Sequence, residues 1–277
     1  MKNSINIHRR ALRDLLGIRS HQDFHSYLIS HAIDKYATMC ASKQKSLGTV
    51  LALCANDREA VVFEKYSFDK ILLTGINEPN DTIRAIANTD PRVSYQKQNS
   101  ENISIPSRSY DLVMCKEGLH HLARPVLGLY EMLRIAKTAV IIIEPYDTIL
   151  NRLLLEILNL SSVYETNVSG NLNQRDNFVF RWSRRQLEFI LNSYYIESGY
   201  SVDLTLGWMT SRLNANPSAL IRRMTAVIGC LCSFLPGSRG NYMTALIVAG
   251  SDVPPDPIPL DRCIDKFTSH GIKCEHE

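Results

Sequence analysis

The sequence lacks several features that mark particular classes of protein. Its seven cysteines are widely spaced and include no CxxC pair, which argues against a structural zinc site and a disulfide framework. The basic residues exceed the acidic ones only by 31 to 28, so there is no electrostatic reason to expect a nucleic-acid partner. The polar, basic start has no secretory signal pattern, and we therefore expect a cytoplasmic protein with free thiols.

The sequence also lacks an apolar run of membrane-spanning length. Its most apolar late segment, Met224 to Pro236, falls short of the ~20 residues that a spanning helix needs. We therefore predict no integral membrane segment. A buried or half-buried helix is the first interpretation of Met224 to Pro236, and a helix lying on a membrane is the alternative. For the wider apolar segment 219–236, core packing and a partner surface are equally good explanations.

The composition is that of an ordinary globular protein. The chain has 277 residues, of which 45% are hydrophobic and 21% charged, which excludes collagen-like, coiled-coil and wholly disordered chains. Such a length can bury a sizeable core without metal or disulfide staples. We predict a helical N-terminal cap at 1–45, a main domain at 46–250 with a lid or insert at 147–180, and an irregular, proline-containing tail at 251–277.

Short apolar runs alternate with helical patterns through the first half of the main domain. This alternation is typical of a parallel sheet with helices on both faces. Ligands of such sheets bind outside the carboxyl ends of the strands. The loops at those ends are predicted at Cys54–Arg58, Asn77–Asn80, Asn99–Ile103, Lys116–His121 and Glu144–Asp147. Later strands near Tyr200–Leu206 and at Tyr242–Ala249 would complete the sheet.

From Ser109 onward the sequence carries a specific motif run, SYDLVMCKEGLHHLARPVLGLYEMLRIAKTAVIIIEP. It closely resembles the second half of a class I S-adenosylmethionine-dependent methyltransferase domain of the type 11-like kind. The resemblance extends over about 45–250 and implies a Rossmann-like, seven-stranded, mostly parallel sheet with helices on both faces. It also implies S-adenosylmethionine as the cofactor.

The resemblance assigns cofactor-binding positions to this sequence. Cys54 and Asn56 fall in the first glycine motif, and Asn77 falls at the ribose-binding end of the second strand. Asn99 and Ser100 correspond to the adenine-binding segment, and Lys116 lines the pocket after the fourth strand. No metal is implied.

The sequence departs from the family pattern at those same positions. The three motif glycines are replaced by Cys54, Asn56 and Arg58, although glycine lets the chain turn tightly beside a cofactor. Asn56 is the replacement best suited to a left-handed conformation. Ala52, Asn77 and Asn99 stand where the family has acidic residues, so charge-assisted hydrogen bonds are lost there. These changes predict cofactor binding that is weakened, rearranged or lost.

Four residues are candidates for facing a substrate. His120 and His121 lie at the mouth of the predicted sheet, where one could act as a general base or could instead pack the loop. Glu144 and Tyr146 close the fifth strand of the motif run. The carboxylate of Glu144 could orient a substrate or equally cap a loop.

Two functions follow from these observations. The first is a methyltransferase that acts on a small-molecule acceptor. The second is a catalytically inactive methyltransferase-like binding or scaffold protein that has lost the cofactor. Such a protein would act through a protein partner or as a homo-oligomer.

Overall fold

The computed structural model describes residues 3–9, 21–150, 152–153, 164–165, 177–178, 180–195, 199–208 and 240–250, with seven single positions between 218 and 231. Its strands are β1 (Ser4–Arg9), β2 (Thr49–Leu53), β3 (Lys70–Gly75), β4 (Val93–Lys97), β5 (Tyr110–Lys116), β6 (Ala136–Pro145), β7 (Tyr164–Glu165), β8 (Asn177–Phe178), β9 (Tyr200–Gly207) and β10 (Tyr242–Ala249). Its helices are α1 (His21–Ser42), α2 (Asp57–Phe63), α3 (Asp81–Thr89), α4 (Pro125–Ile135) and α5 (Arg184–Tyr194), with a 3₁₀ turn at Leu119–His121.

Eight strands form one mixed sheet in the order β1-β9-β10-β6-β5-β2-β3-β4. Only β10 runs antiparallel to its neighbours, β6 and β9. The central strands are buried on both faces because helices cover both sides, and their sequences are accordingly continuous apolar runs. One core lies beneath α1, α2 and α3, and the other beneath α4 and α5.

The order of the strands creates a switch point between β2 and β5. From β2 the chain builds outward through β3 and β4, and then returns to place β5 and β6 on the other side of β2. The loops that follow β2 and β5 diverge to opposite faces of the sheet at this point. The crevice between such loops is where open α/β sheets bind their ligands.

The predicted parallel sheet with helices on both faces is confirmed, with one strand more than the seven predicted. The expectation of a helical cap at 1–45 is wrong in its first part, because Ser4–Arg9 form β1 and pair in parallel with β9. His21–Ser42 are helical and form α1, but this helix packs on the main sheet as one of its covering layers. Ser4–Arg9 alternate polar and apolar side chains, which is the pattern of a half-exposed strand, and the helical interpretation missed it.

Parts of the predicted domain plan lie outside the described residues. These are the tail at 251–277 and most of the lid at 147–180, in which the short strands β7 and β8 pair with each other. Across the described ranges, no helix has both the length and the apolar character needed to cross a bilayer.

Candidate functional site

Cys54 directly follows β2 at the switch point, in a strained backbone conformation. Its φ is 51°, the left-handed region that favours glycine. Its thiol lies 3.3 Å from the hydroxyl of Ser100. A hydrogen bond with Cys115 lowers the pKa of the Cys54 thiol, whereas the same bond and burial raise the pKa of Cys115. The side chain that replaces the first motif glycine is therefore packed inward against the end of β5.

Asn56 acts as a helix cap and has an extended backbone. Its φ is −122°, so Cys54 and not Asn56 takes the left-handed conformation, contrary to the expectation from sequence. The Asn56 side chain accepts a hydrogen bond from the Arg58 N–H at 3.0 Å. In return, the Glu59 carboxylate accepts from the Asn56 N–H at 2.9 Å, which completes a capping box that fixes the start of α2.

A buried cluster of charged side chains lies behind these loops. Lys116 is 3% exposed, and its ammonium group lies 2.7 Å from Oε2 of Glu117 and 3.9 Å from Oε1 of Glu59. Nδ1 of His25, a fully buried residue of α1, lies 3.2 Å from the same oxygen of Glu117. Within the described part of the chain, Oε1 of Glu59 has no hydrogen-bond partner. This group of four residues is called the buried charge cluster below.

The two carboxylates of the buried charge cluster have pKa values that move in opposite directions. Burial alone would raise the pKa of Glu117, but Lys116, His25 and a hydrogen bond from Tyr242 outweigh it and lower the pKa to about 2. Burial raises the pKa of Glu59, against the opposing effect of Lys116. Glu117 is therefore the firmly ionised partner of Lys116.

Glu144 is fully buried and holds the loop that follows β5. Its Oε1 accepts hydrogen bonds from the N–H groups of Gly118, at 3.1 Å, and Leu119, at 2.9 Å. Its Oε2 lies 2.5 Å from Nδ1 of His120, which is 2% exposed. Of the two roles considered for Glu144, this geometry supports capping the loop, and His120 packs that loop rather than facing outward.

The other two substrate-facing candidates, His121 and Tyr146, differ in their exposure to solvent. His121 is exposed at the edge, with its ring centroid 4.0 Å from that of His120. Tyr146 is buried, and its backbone N–H donates to the Asn241 carbonyl at 2.8 Å. Among the four candidates, only His121 therefore presents an exposed side chain at this edge.

The candidate nucleoside-binding residues lie at the ends of β3 and β4. Asn77 and Asn99 are exposed, and Ser100 is buried beside Cys54. The Tyr95 hydroxyl donates to the Asn77 carbonyl at 2.7 Å, which fixes the backbone where the family has its ribose-binding acid. Oδ1 of Asn99 accepts a hydrogen bond from the Glu101 N–H at 3.0 Å. The oxygen of this side-chain amide is therefore already hydrogen-bonded within its own turn.

Sequence reasoning missed three members of this site. Glu59 could have been found, because Asn56 and Glu59 have the spacing of a capping box. Glu117 follows Lys116 directly in the sequence, and no local signal shows that the Lys116 side chain is buried beside it. His25 reaches the cluster only because α1 crosses the sheet, which its helical spacing does not reveal. In the described part of the chain, no group of His, Cys, Asp and Glu could hold a metal ion.

Replacing Gly118 with alanine is expected to lower the free energy of unfolding by about 1–3 kcal/mol through overpacking. A β-carbon at this position would lie 2.5 Å from Cβ of Cys54 and 2.8 Å from Sγ of Cys115. Urea unfolding measures the change. Adding Cys54→Gly should recover part of the loss, because it removes the clashing atoms. An equal loss in both backgrounds would contradict this explanation.

Residues 74–143 match the family described as Methyltransferase domain. The matched segment runs from the end of β3 through β4, β5 and α4 into β6 and contains the Ser109-to-Pro145 motif run up to Ile143. The resemblance to a methyltransferase domain is confirmed over this segment. A search of curated proteins finds no match to the sequence.

Solved structures with a similar arrangement include two from bacteria. The YcgJ protein from Bacillus subtilis is 13% identical, with 80% of this chain and 99% of that chain covered and a TM-score of 0.49. Magnesium protoporphyrin IX methyltransferase from Synechocystis PCC 6803, with bound SAH, is 12% identical, with 86% and 92% covered and a TM-score of 0.47.

Proposed function

We propose, from the match of residues 74–143 to the methyltransferase domain family, that this protein is an S-adenosylmethionine-dependent methyltransferase of a small-molecule acceptor. The observation that carries the proposal is the switch point between β2 and β5, where such sheets bind ligands in the crevice between their loops. Loops from four neighbouring parallel strands meet there and supply carboxylate, amide, hydroxyl and imidazole groups. A fold alone does not define an activity, and the chemistry of these groups is therefore the basis for the argument.

The charges behind the crevice suit a cationic cofactor. S-adenosylmethionine carries a sulfonium and an ammonium group against a single carboxylate. In the buried charge cluster Lys116 and His25 both pair with Glu117, whereas Glu59 lies 3.9 Å from Lys116 and one of its oxygens has no hydrogen-bond partner among the described residues. A buried acceptor without a partner is unfavourable, and an ammonium group brought to it would supply the missing hydrogen bond. These carboxylate acceptors therefore fit the ammonium group at the methionine end of the cofactor.

The nucleoside end of the cofactor would be held by neutral groups. The exposed amide of Asn77 can bond to ribose hydroxyls, and Ser100 and the free amide hydrogens of Asn99 can meet the adenine edge. Neutral hydrogen bonds of this kind each contribute about 1 kcal/mol. We therefore expect an affinity in the micromolar range rather than the nanomolar range.

The remaining task of the protein is to position the reactants. When bound, S-adenosylmethionine supplies a methyl group for in-line displacement by an oxygen, nitrogen or carbon nucleophile. Such a reaction depends on alignment more than on a strong acid or base. His121 is the exposed candidate for accepting a proton from the acceptor, and buried His120 and Glu144 keep the loop that carries it in one conformation.

A second function, an inactive methyltransferase-like binding protein, is favoured by the side chains of Cys54 and Tyr95. Cys54 stands where the family has its first motif glycine, and its side chain fills the space beside Gly118. The Tyr95 hydroxyl lies 2.6 Å from where a β-carbon of Gly75 would stand and so covers the end of β3. Both side chains reduce the room for a cofactor near the positions that would hold it.

Calorimetric titration with S-adenosylhomocysteine, the demethylated cofactor, is the test of these proposals. We expect micromolar binding that weakens about tenfold in Asn77→Ala, because hydrogen bonds to the ribose are lost. Asn88→Ala removes an exposed asparagine from α3 and should leave the affinity unchanged. No binding at millimolar ligand would overturn the methyltransferase proposal.

The variant Cys54→Gly distinguishes the two functions directly. If the thiol blocks the crevice, this variant should gain binding that the natural chain lacks. If the natural chain already binds, the variant should change the affinity little. Only the first result supports the inactive binding protein.

A further inference from the structure

The connection from β9 to β10 leaves the sheet at the same edge as the candidate site. Since β9 runs in the direction of β6 and β5, its last residue, Gly207, lies at their carboxyl-end edge, and Tyr242 returns there. Described positions between 220 and 231 in this connection are helical. Five large apolar side chains on them are 42–67% exposed: Leu220, Met224, Val227, Ile228 and Leu231. These five residues are called the apolar stripe below.

The apolar stripe occupies one face of its helix. At 3.6 residues per turn, its five positions fall within an arc of about 100°. That width is typical of a helix face that is buried against something. In the described part of the chain these side chains are nevertheless exposed, so core packing, one of the two interpretations of segment 219–236, does not hold at these five positions. A contiguous exposed apolar face of this kind marks an interaction surface.

The charges around the apolar stripe have one sign. Between Asp203 and Asp252 the sequence contains no aspartate or glutamate, while it contains the arginines Arg212, Arg222, Arg223 and Arg239. Arg223 is exposed, and on a helical projection it lies about 60° from Leu220, next to the stripe. The described positions therefore combine an apolar face with the basic Arg223, in a stretch of sequence that has no carboxylates, and this complements an anionic surface that also has an apolar interior.

Two further apolar side chains lie on the connection that leaves the same edge of the sheet after β6. Ile149 and Leu153 follow the end of β6, are four positions apart and are 64% and 48% exposed. Both residues are helical, so this spacing places them on one face. Two separate connections at one edge thus expose apolar side chains toward solvent.

We propose that this edge of the protein binds an anionic lipid membrane, with the apolar stripe inserted at the interface and Arg223 among the headgroups. The combination of an apolar face with basic flanking residues is that of an interfacial helix. Anionic headgroups attract each nearby basic side chain, and the acyl region accepts the stripe. The described helical positions run only from 220 to 231, and a helix of that length would be too short to cross the hydrocarbon core, so the association is peripheral. The proposal does not depend on the proposed methyl transfer.

Vesicle flotation of the full chain tests the proposal. Vesicles of phosphatidylcholine mixed with phosphatidylglycerol should carry the protein upward at low salt. Vesicles of phosphatidylcholine alone should bind about tenfold less, because the headgroup attraction is absent. High salt should weaken the first binding. Failure to float with the anionic vesicles at low salt would overturn the proposal.

A matched pair of variants identifies the surface. Ile228→Glu places a carboxylate in the apolar stripe and should lower the vesicle-bound fraction about tenfold or more, since burial of the side chain is lost and a negative charge is added. Phe189→Glu makes the same change at a comparably exposed position of α5 and should bind within about twofold of the natural chain. Both variants should keep the natural thermal unfolding profile.

Light scattering tests whether a second copy of this chain, and not a membrane, covers the apolar stripe. Equal vesicle binding by Ile228→Glu and the natural chain would overturn the proposal. An oligomer of the natural chain that Ile228→Glu dissociates, with no vesicle binding by either, would also overturn it and assign the stripe to a second copy of this chain.

Discussion

Replacing Glu144 with alanine is expected to lower the free energy of unfolding by about 3–5 kcal/mol, as measured by urea unfolding. The carboxylate is fully buried and accepts from Gly118 and Leu119 while contacting His120. Its removal leaves two backbone donors and an imidazole without their acceptor in a place that water does not reach. The cost of such unsatisfied groups exceeds what the hydrogen bonds themselves contribute.

Two matched variants separate the causes of this loss. Glu144→Gln keeps an oxygen that can accept from both N–H groups, and we expect it to lose less than the alanine variant. Glu188→Ala removes a surface carboxylate from its ion pair with Arg184 and should change stability by less than about 0.5 kcal/mol. A loss under about 1 kcal/mol in Glu144→Ala would contradict the structural role assigned to Glu144.

Replacing Lys116 with methionine is expected to cost about 3–5 kcal/mol at neutral pH, with a loss that shrinks on acidification. The change removes the ammonium group shared by Glu117 and Glu59, so that Glu59 loses its cation and Glu117 retains only the contact with His25. Because the pKa of Glu117 in the natural fold, about 2, lies below its ordinary value, this carboxylate stabilises the fold at neutral pH. That stabilisation is lost as the pH falls through its ordinary value toward about 2.

The variant should respond to acid differently from the natural chain. Without Lys116 the pKa of Glu117 rises, so the proton that relieves the unpaired charge binds at a higher pH. The raised pKa of Glu59 acts in the same direction, because its protonation favours the fold. Urea unfolding at neutral pH and at about pH 3 measures the difference. A loss that is independent of pH would mean that packing, not charge, is responsible.

A surface lysine provides the control for this experiment. Lys97 pairs with Glu78 at 3.2 Å, and both side chains are more than half exposed. Lys97→Met should change the stability by less than about 1 kcal/mol at either pH, because solvent screens this pair. Restoring neutrality with Glu117→Gln in the Lys116→Met background should recover part of the stability.

The central strands could be predicted from sequence because their signal is local. Ala139–Ile143 and Thr49–Leu53 are short apolar runs, and burial on both faces requires nothing else of such a strand. The start of α5 was also predictable, since Ser183 and Gln186 have capping-box spacing and form that box. In each case the residues that determine the element lie within the element.

The features that sequence reasoning missed depend on residues far apart in the chain. Asn56 has the better intrinsic tendency toward a left-handed conformation, but the turn falls one step after β2 and places that strain on Cys54. Charged residues such as Lys116 usually lie at the surface, yet this side chain is buried beneath α1 and α2. Charge and propensity describe a residue alone, and they do not show which neighbours remove it from water.

The pairing of β1 with β9 has a consequence for the order in which the chain folds. The Tyr200 N–H donates to the side chain of Asn3, a contact between positions 197 residues apart. During synthesis β1 emerges well before β9, so the rest of the sheet can assemble while β1 is still unpaired. Contacts of such long sequence separation form late, because loop closure must come first. While β1 is unpaired, its exposed polar side chains discourage pairing with other nascent chains.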